Sequence, residues 1–179
     1  MFKKEFYSHL LVTFIYFISI SFFNIRLGFG LILLWLGALV GTFLLDIDHL
    51  LLCLDSSNKT WWAEKSRYLW NKKRYKEVIF YLGETHLEHR TLTFHSALFQ
   101  PILLLLAFFV LTSTGSLFGS GLVMSLNLHL LKDEWQCFLT EGRLDWLFWQ
   151  IKGRINQRGE KIYLLTTTFI FFLLSRLLL

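Results

Sequence analysis

The sequence predicts an all-α membrane protein with about five transmembrane helices and two amphipathic segments at the cytoplasmic membrane interface. Hydrophobic residues make up 54% of the 179 residues and charged residues 17%, whereas soluble domains average roughly 45–50% and about 25%. The apolar residues form long uncharged runs, and the basic residues are concentrated between these runs. This composition excludes disordered and coiled-coil proteins, and the length is that of a single domain covering residues 1–179.

Uncharged runs define the predicted spans. A helix needs about 20 apolar residues to cross a bilayer, so residues 96–131, which carry no charge, are too long for one ordinary span. The polar, glycine-containing residues 112–116 predict a turn within this run. The last run, residues 162–179, contains one charged residue, Arg176. The five predicted spans are residues 6–23, 27–45, 96–111, 117–131 and 162–179.

The distribution of positive charge predicts the orientation of these spans. With the N-terminus inside, sixteen of the eighteen Lys and Arg residues lie on the cytoplasmic side, and only Arg26 and Arg176 lie outside. Cytoplasmic loops of membrane proteins carry such an excess. Segments 55–95 and 132–161 also hold six of the seven tryptophans, which prefer the membrane interface. We therefore expect these basic segments to contact anionic membrane lipid rather than RNA or DNA.

Ionisable residues at the ends of the spans form the predicted functional site. Such residues are costly at membrane depth, which makes each of them a functional candidate. If the chain turns within residues 112–116, all of them lie at the cytoplasmic end of a span. They are His9 in the first span, Asp46, Asp48 and His49 after the second, His89, Arg90 and His95 before the third, and His129 and Asp133 after the fourth.

These side chains predict a metal site, because histidine and carboxylate together ligate zinc, manganese or iron(II). Five His and three Asp exceed the four ligands of one tetrahedral zinc. We therefore expect one or two divalent transition-metal ions, zinc foremost, with any remaining residues orienting the ligands. The preferred ligands are Asp46, Asp48, His89, His95 and His129, followed by His9, His49 and Asp133.

Helical spacing supports convergence of part of this set. Asp46 and His49 are three residues apart, and His129 and Asp133 are four apart, so each pair shares one helical face. Each pair therefore directs its side chains to the same side of its helix.

Three of the candidates also have an ordinary interpretation. His9 can be an interfacial polar residue that water or the backbone satisfies. Asp48 lies on a different helical face from Asp46 and can support a ligand rather than be one. Asp133 can be a solvated residue of the charged segment.

The third span begins with a second set of polar residues. His89 and His95 are six residues apart, too far for adjacent turns of one helix, so we expect His95 on the helix and His89 on the loop before it. Arg90 is the expected stabiliser of a developing anion, because its charge is permanent. Glu88 is a candidate proton shuttle.

Other catalytic chemistries lack their motifs in this sequence. It contains no His-Glu-x-x-His zinc protease motif, no adjacent histidines of the desaturase type, no glycine-rich phosphate loop and no Gly-x-Ser-x-Gly elbow. Ser96 beside His95 is better explained as a hydroxyl at a helix N-terminus than as a nucleophile.

The assembled residues resemble the motifs of the YdjM family of inner-membrane-associated metal-dependent hydrolases. His9 and residues 45–49, 89–96 and 128–133 occur in the order of the family's motifs. The chain departs from the family pattern at Leu45 (Pro in the family), Thr91 (Gly), Phe94 (Thr) and Leu128 (Ser). The resemblance implies an inner-membrane protein with a metal-dependent hydrolase activity.

We therefore expect a membrane-bound hydrolase whose metal-activated water attacks an ester or phosphoester at the cytoplasmic face. The substrate is expected to be a small molecule or a lipid. The alternative is a non-catalytic membrane protein with a structural metal site. A metal carrier is disfavoured, because few polar residues continue toward the outer ends of the spans.

Overall fold

The computed structural model describes residues 2–23, 28–85, 88–89, 91–153 and 155–178, and their regular structure is entirely helical. This confirms the all-α prediction for the described residues. The helices are α1 (Phe2–Phe23), α2 (Gly30–Leu44), α3 (Ile47–Leu54), α4 (Trp61–Asn71), α5 (Tyr75–Thr85), α6 (Phe99–Ser113), α7 (Leu117–Glu141), α8 (Gln157–Ser175) and a final 3-10 helix, Arg176–Leu178.

Within the described residues, three helical segments are long and apolar enough to cross a membrane. They are Glu5–Phe23, Gly30–Leu54, which joins α2 and α3, and Gln157–Leu178. They correspond to the first, second and fifth predicted spans. With 15 residues, α6 is apolar but shorter.

The two helices α6 and α7 form a hairpin. The chain turns at residues 114–116, within the predicted turn, where Gly115 adopts a φ of 60° that favours glycine. Ser116 caps α7 by accepting a hydrogen bond from the backbone of Gly119. Helix α7 then continues beyond residue 131 to Glu141. The segment 132–161 therefore begins as a continuation of the fourth apolar helix, which the sequence did not predict.

Glycines bring α2 and α7 into backbone contact. A Cβ atom at Gly37 would overlap the carbonyl oxygen of Phe118, and one at Gly121 would overlap that of Leu34. Gly41 lies one turn after Gly37 and would crowd α7 in the same way. Small residues allow such close approach in membrane helices. The C-terminal end of α2 is thereby held beside the middle of α7.

Polar side chains extend this contact to α1. The hydroxyl of Thr42 lies 3.0 Å from that of Thr13 and 2.9 Å from that of Ser125, and all three residues are buried. Apolar side chains such as Phe17 and Met124 fill the surrounding core. Helices α1, α2 and α7 thus form the support of the polar cluster described next.

The segment between the second and third predicted spans folds as two helices. The helices α4 and α5 pack on the end of α3 through a separate core that includes Cys53, Trp62, Leu69, Val78 and Tyr81. Both are amphipathic, with exposed outer faces.

Candidate metal centre

The candidate site lies where α2 passes into α3 beside α7. At this junction the backbone N–H groups of Asp46, Asp48 and His49 each donate to the carbonyl three residues earlier, with N–O distances of 3.0–3.2 Å. An α-helix would use the carbonyl four residues earlier. The tighter turn makes the carbonyl oxygen of Thr42 available to a side chain.

That carbonyl fixes the tautomer of His129. The Nδ1 atom of His129 lies 2.6 Å from the carbonyl oxygen of Thr42. A carbonyl oxygen only accepts, so Nδ1 carries a proton and Nε2 is the free ligand atom. This Nε2 lies 3.2 Å from a carboxylate oxygen of Asp133 and 3.6 Å from one of Asp46. Either a proton or a metal ion must therefore lie between Nε2 and the carboxylates.

Among the described residues, two groups of side chains can hold a metal ion, with the ligand atoms of each group within 4.8 Å of one another. One group consists of Asp46, His49 and His95, and the other of His9, His129 and Asp133. The rings of His49 and His95 are inclined by 58° with centroids 5.4 Å apart, so their in-plane lone pairs can meet at one ion. The rings of His9 and His129 are instead stacked, at 3.9 Å and 20°.

Both ring nitrogens of His95 are buried without a hydrogen-bond partner among the described residues. The residue as a whole is 3% exposed. Buried polar atoms are normally paired, so this ring is suited to bind a ligand. His95 lies on the loop before α6, which begins only at Phe99. The prediction that His95 sits on the helix is therefore wrong.

Asp48 holds that loop in place. Its Oδ2 atom accepts hydrogen bonds from the backbone N–H groups of Phe94 at 2.5 Å and His95 at 3.3 Å, and lies 3.5 Å from Nδ1 of His95. Asp48 is buried and belongs to neither group of metal-ligating atoms. The geometry gives it the role of positioning His95.

Further anchors of the same loop come from the segment after α7 and from α8. The indole of Trp149 donates to the carbonyl of Leu92 at 2.8 Å, and the hydroxyl of Tyr163 donates to that of Ala97 at 3.0 Å. The N–H of Ala97 donates to the carbonyl of Leu147. The sequence indicated Trp149 only as an interfacial aromatic residue and gave no signal for Tyr163.

His89 lies behind His49. The hydroxyl of Thr85 donates to the carbonyl of Tyr81, so it accepts from Nε2 of His89 at 3.2 Å. Neutral His89 then accepts through Nδ1 from Nδ1 of His49 at 2.8 Å, which leaves Nε2 of His49 as its ligand atom. His89 therefore orients His49 and is not part of either group.

Lys132 and Glu5 also contact the cluster, although the sequence did not single them out. The Lys132 side chain is 7% exposed, and its ammonium group lies beside Glu5, His9 and Asp133. Nothing in the local sequence indicates that Glu5 reaches this lysine.

The structure describes only one of the two predicted catalytic residues, Glu88. Glu88 is exposed on the loop before His89. Arg90 lies outside the described residues, so its predicted role stays a prediction.

The chain matches no protein-family model, no curated protein and no solved structure.

Proposed function

We propose that this chain is a membrane-bound metal-dependent hydrolase whose metal centre is formed by Asp46, His49 and His95. The observation that carries the proposal is this group of three convergent ligand atoms, in which the Asp46 side chain is 47% exposed. Catalytic metal sites combine three protein ligands with an open position, and the exposure of Asp46 directs that position toward solvent. A divalent metal ion bound here would supply a Lewis acid that makes water acidic near neutral pH.

The chain's own residues then have distinct tasks. Asp48 and His89 hold His95 and His49 in the orientation that ligation requires. Arg90 stabilises the negative charge that develops on an ester or phosphoester, and Glu88 carries a proton at the exposed edge.

The proposed environment is the cytoplasmic face of the inner membrane. The helices α6 and α7 would add two spans to the three candidate spans, and the outer faces of the helices expose large apolar side chains such as Phe22, Leu105 and Phe169. The polar cluster lies at the C-terminal end of α2, in the first half of α1 and on the loop before α6, so a lipid or another small amphiphile is the proposed substrate. The resemblance to the YdjM family supports both the metal and the reaction class.

Metal analysis tests the proposal first. Protein purified in detergent without chelators should contain zinc or another transition metal by mass spectrometry, and His95→Ala should lose it. His86→Ala is the matched control, since His86 is the one histidine outside the predicted site. A folded wild-type chain that neither contains nor rebinds metal would refute the centre.

Activity is tested next on phosphoesters, carboxyl esters and phospholipids in detergent. Arg90→Ala should retain metal and lose about 10²–10³-fold in rate on any substrate that the wild type hydrolyses.

A structural metal site is the second candidate function. It is favoured by the position of Nε2 of His129, 3.6 Å from Asp46, which offers a fourth protein ligand. Four protein ligands close a tetrahedral site, and a structural metal contributes directly to folding. If the metal is structural, its loss should lower the melting temperature far below that of the metal-loaded protein. This applies to His95→Ala, to His129→Ala and to the metal-stripped wild type. No substrate should be hydrolysed.

A further inference from the structure

The ammonium group of Lys132 lies among three polar side chains. It donates to a carboxylate oxygen of Glu5 at 2.8 Å and to Oδ1 of Asp133 at 3.2 Å, and it lies 3.1 Å from Nε2 of His9, which is itself 3.1 Å from Oδ1 of Asp133. A lysine ammonium has three N–H donors and no acceptor. At least two of these donors are used by carboxylates of the chain itself, so the ammonium group is bound within the cluster.

This arrangement occupies atoms that the second metal-ligating group would need. Nε2 of His9 lies 3.1 Å from both the ammonium group and Oδ1 of Asp133, so it either accepts from Lys132 or donates to Asp133, and in both cases this atom is already engaged. Oδ1 of Asp133 is occupied in the same way. The Glu5 carboxylate is itself held by Gln136, whose amide donates to the other oxygen at 2.8 Å. Lys132 is therefore fixed in this position.

In the arrangement that Lys132 holds, the ring geometry also opposes a second ion. Imidazole binds a metal through a lone pair in the plane of the ring. The stacked rings of His9 and His129, 20° from parallel, send their lone pairs along separate planes that do not meet at one ion. The rings of His95 and His129 are inclined by 69°, and those of His95 and His49 by 58°. With Lys132 in place, the convergent rings are those around His95, and removal of Lys132 would free His9 to turn toward a second ion.

We propose that the Lys132 ammonium takes the place of a second metal ion beside His9 and Asp133, and that the centre binds a single metal ion at Asp46, His49 and His95. The inference rests on the proposed metal centre. Lys132 and a second metal ion are alternatives, because they would share the same acceptor atoms and repel each other at short range. Lys132 thus replaces a second metal ion and balances the charge of Glu5 and Asp133.

The experiment measures zinc per chain by mass spectrometry after chelator stripping and equilibrium dialysis against zinc. The wild type should bind one ion. The double variant Glu5→Gln/Lys132→Met removes one charge of each sign and should bind two. The control Glu141→Gln/Lys161→Met makes the same changes at two exposed positions and should still bind one.

Single variants make the result decisive even if the double variant does not fold. His9→Ala should retain one ion, whereas His95→Ala should bind none. Two ions in the wild type, with one lost in His9→Ala, would overturn the inference and leave the metal centre standing. A folded double variant that stays at one ion would also overturn it. A wild type that binds no zinc would refute the proposed centre itself.

Discussion

Removal of the Asp48 carboxylate should weaken both the fold and the metal centre. The Asp48 side chain is 5% exposed and accepts hydrogen bonds from the backbone N–H groups of Phe94 and His95. A hydrogen bond to a charged group contributes about 1.5–3 kcal/mol. The bond from His95 is long at 3.3 Å, so we expect Asp48→Ala to lower the free energy of unfolding by about 2–4 kcal/mol.

The isosteric variant separates charge from shape. Asp48→Asn keeps an acceptor oxygen and should lose only the charge contribution, about 1–2 kcal/mol. Because the loop carries His95, Asp48→Ala should also lower the metal affinity about 10–100-fold, as is typical when a residue that orients a ligand is removed.

Unfolding in mixed detergent measures the change in the free energy of unfolding. Zinc titration against a chelator measures the change in metal affinity.

Asp55 provides the control for this experiment. It also accepts a backbone N–H, from Ser57 at 2.9 Å, but lies exposed beyond the end of α3. Asp55→Asn should leave zinc affinity unchanged. If Asp48→Ala unfolds like the wild type and binds zinc equally well, the positioning role of Asp48 is wrong.

Three further predictions concern packing, charge and topology. Gly121→Val should separate α7 from α2 and abolish zinc binding, because any side chain there overlaps the backbone of Leu34; retained zinc binding would contradict the contact. Arg143 pairs with the buried carboxylate of Glu160, whose hydrogen bond raises the pKa of Arg143. Arg143→Ala should lower the free energy of unfolding in detergent, because it leaves the buried Glu160 carboxylate without its cation; an unchanged unfolding midpoint would contradict this role. A cysteine at Lys73, in a chain without Cys53 and Cys137, should react with an impermeant thiol reagent only from the cytoplasmic side; labelling from outside would contradict the topology.

The sequence predicted the elements that depend on local pattern. Uncharged runs and the polar residues 112–116 were enough to predict the hairpin of α6 and α7. The spacing of Asp46 and His49 placed both side chains toward one site, and the structure brings them within 4.8 Å of His95. These features follow from helical periodicity and from the cost of charge at membrane depth.

The remaining features depend on contacts between distant parts of the chain. His95 is held on a loop because Asp48, 47 residues earlier, accepts its backbone N–H, and no local pattern shows this. In the sequence, Lys132 resembles the other lysines of a charged segment. Its partner Glu5 lies 127 residues earlier in the chain, so no local pattern indicates the contact. Thr42 acts through a backbone carbonyl, which every residue has.

If α2 and α7 are embedded in the membrane as proposed, their glycine contact has a consequence for lipid dependence. A change in bilayer thickness is accommodated mainly by helix tilt, which moves neighbouring spans relative to each other when only flexible side chains separate them. The backbones of α2 and α7 are in direct contact at Gly37 and Gly121, so these two helices should tilt together as one rigid unit. The distance between Asp46 and His129 is then insensitive to the surrounding lipid. Zinc affinity should therefore be the same in vesicles of short-chain and long-chain phosphatidylcholine, even where the melting temperature differs between them.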